Sequence, residues 1–529
     1  MSPSPGASVA RLVQTAPAEG EGSPLHASAA ELMCLGGDGR IHLDATGRAN
    51  RYGCAPRPDA SLVALGSSTA STISPDAFAA VERLRVRLLQ QLADAAPEEV
   101  YEHQARRVRD ELLALCGLAG RAEVVLAPSG TDLHLIAGQL IGSGTRPALA
   151  IIPEETETGS GVPAAVAGRS LAGPTPLDPS GDLACAFSPV EVRAIAARAP
   201  DGRPRDPAAV DAEVEALAQA ALTEGREVLL VLIDVSKTGL ISPSPACAFG
   251  LAGRFPGQVT VLVDGCQLRL SGATLGAYLD RGAMVAVTGS KFMTGPAFSA
   301  ALMVPSAMAA RLADRPAPAG LDAVSAQGDW PEGWAARQGL RPAANFGVLL
   351  RWEAALCELR GFAAISDAQI QAAAAGLGRV AEEAIAGTPE LEALEARPLE
   401  RGLGSDSGWD RLKTIFPFVM RSAPNGPWLS REQTERVWRL MREDLGAAAG
   451  GQSLQARATA RLRIELGQPV AAGTRDGAPV SALRLCLSSR LVCEASGGDP
   501  RAAARILSDA RLALAKAAWL AREVGQGRL

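Results

Sequence analysis

Several features that mark common protein classes are missing from this sequence of 529 residues. No apolar run of about 18 or more residues is free of charges or Gly/Pro breaks, so no transmembrane helix is predicted. The segment from Met1 to Gly22 has no continuous apolar stretch of the signal-peptide type, and we expect a cytoplasmic location. The formal net charge of −5, with no block of like charges, does not indicate a nucleic-acid-binding surface.

Metal-binding and nucleotide-binding motifs are missing too. The nine cysteines include no C-x-x-C pair, and the four histidines are too dispersed for metal-ligand spacing. No G-x-G-x-x-G or G-x-x-x-x-G-K-[ST] follows a predicted strand, which argues against a nucleotide-binding enzyme. What remains is a globular chain, 47% hydrophobic and 21% charged, with two or more domains.

Lysine is also scarce, because arginine provides 48 of the 52 basic residues. The four lysines are Lys237, Lys291, Lys413 and Lys516. A guanidinium stays protonated at neutral pH and cannot form an imine, whereas an amine with a lowered pKa can. One of the four is therefore a candidate for covalent chemistry, although chance retention explains most of them.

Short β-branched apolar runs alternate with longer Ala/Leu-rich helical runs through the middle of the chain. Continuous apolar strands joined by helices predict an α/β fold with a three-layer, mostly parallel sheet covered on both faces. Ligands of such sheets bind beyond the carboxyl ends of the strands. The predicted strands are Glu123–Ala127, Ala148–Ile152, Val228–Ile233, Val259–Val263, Met284–Thr288 and Ala300–Val304.

The sequence pattern divides the chain into three parts. Residues 1–30 are rich in Ser, Pro, Ala and Gly, which predicts a disordered arm. Residues 31–350 form an N-terminal segment and a large domain. Residues 351–529 change to Ala-rich helices with a late strand, which is typical of a smaller α+β domain.

The strand Val259–Val263 ends in Asp264, a carboxylate at the end of a central, buried strand. Burying a lone carboxylate is costly unless a cation or a donor meets it. The pyridinium nitrogen of pyridoxal phosphate (PLP) would be such a partner, and the carboxylate would keep the ring protonated. A helix cap or a turn former is the alternative role for this aspartate.

Lys291 follows the next predicted strand, 27 residues after Asp264. The Lys291 ammonium follows a buried strand and lies among small residues, so it has no evident ion-pair partner. It could form an imine with an aldehyde and then transfer a proton at the substrate carbon. A structural lysine is the alternative, but the spacing from Asp264 favours the catalytic role.

A phosphate site is predicted upstream, where the strand Glu123–Ala127 runs into Ser129-Gly130-Thr131 and a helix. Hydroxyls and free N–H groups at a helix N-terminus suit phosphate, although the same residue types cap ordinary helices. Thr288 and Ser290 could add hydroxyls to the same phosphate. Four separate signals therefore point to one ligand.

Together these residues resemble a known family, the class V aminotransferase and cysteine desulfurase-like branch of the PLP-dependent fold type I enzymes. The resemblance covers roughly residues 120–350 and a short C-terminal motif. Val263-Asp264-Gly265-Cys266-Gln267 is similar to a motif whose Asp pairs with the pyridine nitrogen and whose Gln lies near the ring oxygen. Thr288-Gly289-Ser290-Lys291 is similar to the family's Ser-x-His-Lys, which implies that Lys291 forms the imine and that the hydroxyls reach the phosphate.

Three further residues follow from the resemblance. Ser236 precedes Thr238-Gly239, similar to the family's Thr-Gly-x-x-x-Pro, and is implied to lie near the cofactor. Arg484 corresponds to the arginine that binds the substrate carboxylate, for which a bidentate guanidinium is suited; a solvent-facing arginine is the alternative. Asn345 lies in the segment that relatives lend to the neighbouring subunit's phosphate, and the resemblance implies a homodimer.

The implied function is that of a PLP-dependent enzyme acting on an amino acid, preferably an aminotransferase. A lyase that performs β-elimination or substitution is the alternative, and a scaffold that has lost catalysis is a third. A desulfurase would need a mobile cysteine before the carboxylate arginine, and residues 450–481 contain none. Two early segments rich in turn and hydroxyl residues, Leu43–Gly53 and Gly66–Ser71, are expected to contact the substrate unless they are surface loops.

Overall fold

The structure is a computed structural model that describes residues 24–169, 177, 187–404, 408–450 and 453–529. Most of the predicted N-terminal arm lies outside these residues, but its last part does not. Helix α1 (Ala29–Leu32) begins at a capping box in which Ser28 and Glu31 bond each other's backbone N–H groups. Leu25 and Ala29 are fully buried, so the prediction of disorder to residue 30 is wrong for residues 24–30.

The large sheet contains eight strands. They run in the order β2-β9-β8-β7-β5-β3-β4, with β6 paired to β5. Neighbouring strands pair in parallel, except that β9 is antiparallel to both β2 and β8, and β6 is antiparallel to β5. The strands are β2 (Ala122–Ala127), β3 (Ala148–Pro153), β4 (Glu191–Ile195), β5 (Glu227–Asp234), β6 (Ile241–Ser242), β7 (Val259–Gly265), β8 (Met284–Thr288) and β9 (Ala300–Pro305).

Burial explains why six of these strands were predictable. Every residue of β3, β8 and β9 is buried, so these strands read as continuous apolar runs. The edge strand β4 was missed because it contains Glu191 and Arg193 and is largely solvent-accessible. The predicted three-layer α/β architecture is confirmed.

Helices lie on both faces of this sheet and continue into the C-terminal part. The helices after α1 are α2 (Pro75–Gln91), α3 (Pro97–Leu115), α4 (Gly130–Gly142), α5 (Val162–Val166), α6 (Pro207–Thr223), α7 (Pro245–Arg254), α8 (Gly272–Asp280), α9 (Ser306–Leu312), α10 (Phe346–Ala363), α11 (Asp367–Ala386), α12 (Arg431–Leu440), α13 (Leu454–Arg461), α14 (Ser489–Ser496) and α15 (Pro500–Gly525). None of these helices is both long and apolar enough to cross a membrane.

A second sheet of five strands has the order β1-β12-β13-β11-β10. Four strands belong to the C-terminal part, namely β10 (Leu391–Ala393), β11 (Ile415–Met420), β12 (Arg463–Arg475) and β13 (Ala478–Cys486). The fifth, β1 (Leu62–Leu65), comes from the N-terminal segment and pairs in parallel with β12. The N-terminal segment is therefore part of the small sheet, and a boundary near residue 350 stays a prediction for the rest of the chain.

A buried arginine holds the start of the described chain against the large sheet. Arg351 on α10 is fully buried and donates to the backbone carbonyls of Met33, Leu35 and Gly36 and to that of Phe298. Its partners are all neutral, so burial lowers its pKa to about 9. One side chain thus fixes the segment that leads to Arg40.

We expect Arg351→Met to lower the free energy of unfolding by about 3 kcal/mol, because four buried carbonyls lose a charged donor. Chemical denaturation monitored by circular dichroism measures this loss. Arg87→Met, which changes an exposed arginine on α2, is the matched control and should have little effect. Equal stability of the two variants would contradict the anchoring role.

Candidate active site

The site residues predicted at the ends of β7 and β8 line one cavity, at the carboxyl ends of the parallel strands. Its volume is about 430 Å³, and both Asp264 and Lys291 line it. β7 and β8 are adjacent and parallel, with Asp264 opposite Ala286, so the two strands end at the same sheet edge. The turn before α4, the N-terminal segment, the loop of residues 155–160, β12 and β13 also contribute to its walls.

Asp264 is nearly fully buried and is surrounded by donors. Thr158 Oγ1 donates to Asp264 Oδ2 at 2.8 Å, and the N–H of Cys266 donates to Oδ1 at 3.2 Å. His134 Nε2 lies 3.5 Å from Oδ2, and its Nδ1 lies 2.7 Å from the carbonyl oxygen of Gly130. This carbonyl fixes the proton on Nδ1, so the ring is oriented with Nε2 toward the carboxylate.

Charge favours the ionised form of Asp264 in spite of its burial. Burial alone would raise the pKa of the carboxyl, but His134 and Lys291 hold it well below its usual range. For His134, burial opposes protonation, and the attraction of Asp264 more than offsets it, so the pKa of the imidazole is raised. The two groups therefore form a buried ion pair, and both residues line the cavity.

The turn at the start of α4 also lines the cavity. Ser129 caps the helix in a capping box with Asp132. Arg40 reaches the turn from the N-terminal segment, with Nη2 3.3 Å from Ser129 Oγ and Nη1 3.3 Å from Thr131 Oγ1. Its guanidinium is paired with Asp38 and lies 4.8 Å from the centre of the Phe298 ring. A helix N-terminus, two hydroxyls and a cation thus meet at one point, which suits a phosphate.

The end of β8 adds two hydroxyls to this region. Thr288 Oγ1 donates to the carbonyl of Cys266 at 2.6 Å, and Ser290 Oγ lies 3.4 Å from Thr288 Oγ1. A Cβ atom at Gly130 would lie 2.8 Å from Cys266 Sγ, so the turn has room for a backbone but not for a side chain. This close approach explains the glycine of the predicted phosphate turn.

Gln267 also lines the cavity, where its Nε2 donates to the carbonyl of Ser68 at 3.0 Å. Ser68 and Thr69 belong to the early hydroxyl-rich segment, and both line the cavity. Arg51 and Tyr52 of the other early segment line it as well. The expectation that these segments contact a bound substrate is therefore compatible with where they lie.

Arg484 projects from β13 into the cavity and is 2% exposed. It donates to Thr69 Oγ1 at 2.8 Å and to the carbonyl of Gln468 at 2.7 Å. Because these partners are neutral, burial lowers its pKa to about 10. Arg484 is buried rather than facing bulk solvent, which favours the carboxylate-binding role.

Ser236 lies behind the cavity, not in it. It is fully buried, and its hydroxyl donates to Glu157 Oε2 at 2.5 Å. Glu157 also accepts from Thr238 and from the guanidinium of Arg198 at 2.8 Å. This network takes the Ser236 hydroxyl and positions the loop of Glu157. A position of Ser236 near a bound cofactor stays a prediction.

Asn345 does not line this cavity either. Its Oδ1 accepts from the N–H of Val348 as the N-cap of α10, and its Nδ2 donates to the carbonyl of Gly36 at 3.1 Å. In its own subunit the residue is therefore a helix cap. A contact with a neighbouring subunit stays a prediction.

Sequence reasoning missed four residues of the site, namely Arg40, His134, Glu157 and Thr158. His134 carried a usable signal, since it lies one helical turn after Gly130 on the helix that starts at the predicted phosphate turn. Arg40 carried none, because 89 residues separate it from Ser129. Within the described residues, no cluster of His, Cys, Asp and Glu is suited to a metal ion.

Comparison with known proteins places the fold. No family model matches the sequence, and no curated protein matches it. Among solved structures, a C-DES variant with glycine covalently linked to its PLP cofactor is 14% identical, with 86% of this chain and 99% of that chain covered and a TM-score of 0.51. A NifS-like protein is 12% identical, with 85% and 98% covered and a TM-score of 0.50.

At this level of identity the likeness concerns the fold. The chain has the fold of the PLP-dependent fold type I enzymes, as the motifs predicted. The two neighbours also agree with the resemblance to the class V and desulfurase-like branch.

His134→Gln should lower the free energy of unfolding by about 3 kcal/mol, since it leaves the buried Asp264 carboxylate without its cation. The raised pKa of His134 adds stability that is complete below the ordinary histidine pKa, near 6.5, and is lost as the pH rises through the raised value. Wild-type stability should therefore fall on the alkaline side, and the variant should lack this slope.

Urea denaturation of the cofactor-free protein across this pH range tests the expectation. His103→Gln, at an exposed histidine on α3, is the control and should retain the wild-type slope. An unchanged slope in His134→Gln would show that the ion pair does not titrate as described.

Proposed function

We propose that this protein is a PLP-dependent enzyme that acts on an amino acid, with Lys291 holding the cofactor, and that its reaction is a transamination. One observation carries the proposal: a buried, ionised carboxylate, an amine and an anion-binding turn all face one cavity. PLP has a pyridine nitrogen, an aldehyde and a phosphate, which are the chemical complements of these three groups.

The residues present fit this cofactor. Asp264, backed by His134, would keep a proton on the pyridine nitrogen, and Gln267 would lie near the ring oxygen. The phosphate would take the hydroxyls of Ser129, Thr131, Thr288 and Ser290, the N–H groups of Gly130 and Thr131, and the guanidinium of Arg40. When bound, PLP supplies an electron sink that weakens the bonds at the α-carbon of an amino acid.

The side chains around the cofactor would then direct the substrate. Arg484 would bind the α-carboxylate, since its guanidinium is buried and has only neutral partners. Lys291 would hold the cofactor through its amine and would move the proton at the α-carbon of the substrate. Thr158 would help to hold the pyridine end of the cofactor, because it bonds the carboxylate that would meet the ring nitrogen.

Cysteine chemistry supports a reaction other than desulfuration. Cys266 is the only cysteine among the described residues that line the cavity. Burial and the neighbouring Asp264 carboxylate raise the pKa of its thiol well above the usual range. A protonated thiol in a fixed strand end is a poor sulfur acceptor. Transamination is our first proposal and a C–S lyase reaction the second.

A homodimer is also proposed, on the resemblance alone, and a cytoplasmic location is proposed from the sequence pattern. The partner's copy of Asn345 would then be a candidate for the phosphate region. A scaffold without catalysis is less well supported, because a scaffold has no need of the Asp264–His134 ion pair beside an amine.

Lys291→Ala tests the proposal. The wild-type protein incubated with PLP should gain an absorbance band that borohydride removes, and peptide mapping should find the label on Lys291. Lys291→Ala should lack the reducible band, while Lys413→Ala, at an exposed lysine, should retain it. A wild-type protein that does not bind PLP would refute the proposed function.

Product analysis then separates the two reactions. Transamination of an amino acid in a single turnover gives a 2-oxo acid without ammonia, whereas β-elimination releases both in equal amounts. Ammonia release from a substrate with a β-leaving group would favour the lyase.

Arg40→Gln should weaken PLP binding by about 10-fold to 100-fold, the loss expected for a charge-assisted phosphate contact. The dissociation constant is measurable by fluorescence or absorbance titration. Arg48→Gln changes an exposed arginine eight residues away and is the control. A variant that binds PLP as tightly as the wild type would remove Arg40 from the phosphate site.

A further inference from the structure

Two cations on one wall of the cavity have no carboxylate partner among the described residues. They are Arg484 of β13 and Lys237, which follows β5. They are neighbours, since Arg484 Nη1 lies 3.4 Å from the carbonyl oxygen of Lys237. The resemblance assigns a role to the arginine only, so the lysine needs an explanation of its own.

A hydrogen bond to an uncharged group orients the side chain of Lys237. Its Nζ donates to the backbone carbonyl of Glu155 at 2.8 Å, while the Glu155 carboxylate belongs to an exposed residue and forms no ion pair with it within 4 Å. Burial, together with the charges of Arg484 and Lys291, lowers the pKa of Lys237 to about 8. An anion in the cavity would relieve this repulsion and restore the charged form.

Three acidic residues line the cavity, and the two buried ones, Asp264 and Glu157, are already paired, whereas Glu155 is exposed. Asp264 is paired with His134, and Glu157 is paired with Arg198. The α-carboxylate of a substrate brings one negative charge, which Arg484 alone can match. A second charge is therefore needed to balance Lys237.

The rim of the cavity is positively charged as well. Gln468, whose carbonyl accepts from Arg484, donates its side-chain amide to the carbonyl of Arg51 at 3.0 Å. Arg51 and Arg431 are exposed at the cavity mouth. Positive charge thus extends from the buried Arg484 outward, which favours the entry of multiply charged anions.

We propose that the substrate is an amino acid with a second anionic group, that is, a dicarboxylic amino acid or one with an equivalent acidic side chain. Arg484 binds the α-carboxylate, and Lys237 binds the second anion and determines specificity. This inference rests on the proposed function, which supplies the amine and the α-carbon chemistry.

Unreactive acids test the specificity without turnover. Glutarate and pentanoate have the same chain length and differ by one carboxylate, and neither has an amine. Titrated into the PLP-loaded protein and monitored by calorimetry and by the shift of the cofactor band, glutarate should bind about tenfold more tightly, the value of one charge-assisted contact.

Variants at Lys237 identify the residue responsible. Lys237→Met should bind the two acids with equal affinity, and Lys237→Arg should restore part of the preference for glutarate. Lys413→Met, at an exposed lysine, should behave like the wild type. A normal cofactor band in each variant shows that the site is intact.

Two outcomes would overturn the inference. One is a wild-type protein without preference for glutarate; the other is a Lys237→Met variant that loses affinity for both acids equally, which would place the lysine on the α-carboxylate or the cofactor. Absence of a cofactor band in the wild type would instead refute the proposed function, and calorimetry with the two acids would still decide whether Lys237 binds an anion.

Discussion

The site depends on one constraint, the burial of a negative charge at the end of β7. A carboxylate removed from water must be met by donors and by positive charge, or it takes up a proton. The fold meets this demand from three directions: His134 on α4, Thr158 after β3 and the backbone of Cys266. Since these groups lie on different elements, the position of Asp264 sets how α4 and the loop of residues 154–160 approach the sheet.

Buried arginines connect separate parts of the chain. Arg269 is 1% exposed and donates to the carbonyls of Leu487 and Thr414 and to Ser67 Oγ, so it connects the large domain, the C-terminal part and the N-terminal segment. Its pKa is lowered to about 10 by burial, because these acceptors are neutral. Guanidinium groups suit such positions, since five donors in a fixed plane can satisfy several carbonyls at once.

Local patterns predicted the large sheet and the residues that follow its strands. Asp264, Lys291 and Ser129 could be found because each stands directly after an apolar run, and the strand ends of a parallel sheet meet at one edge. Arg40 and Glu157 could not be found, because their partners are set by tertiary packing across long stretches of chain.

Ser236 shows the limit of motif transfer: its position in the motif is similar, but a buried glutamate takes its hydroxyl. Roles that rest on sequence likeness alone are least certain where a new charged neighbour enters.

The parallel pairing of β1 with β12 has a consequence for the order of assembly. Leu62 pairs with Arg463, so these partners are separated by about 400 residues of chain, and such distant contacts form slowly because a large loop must be closed first. During synthesis the N-terminal segment leaves the ribosome early, yet β1 has no partner until β12 has followed it. The wall of the cavity that contains Ser68 and Thr69 is therefore completed only after β12 has been synthesised. Until then, this side of the cavity at the strand ends of the large sheet stays open to solvent.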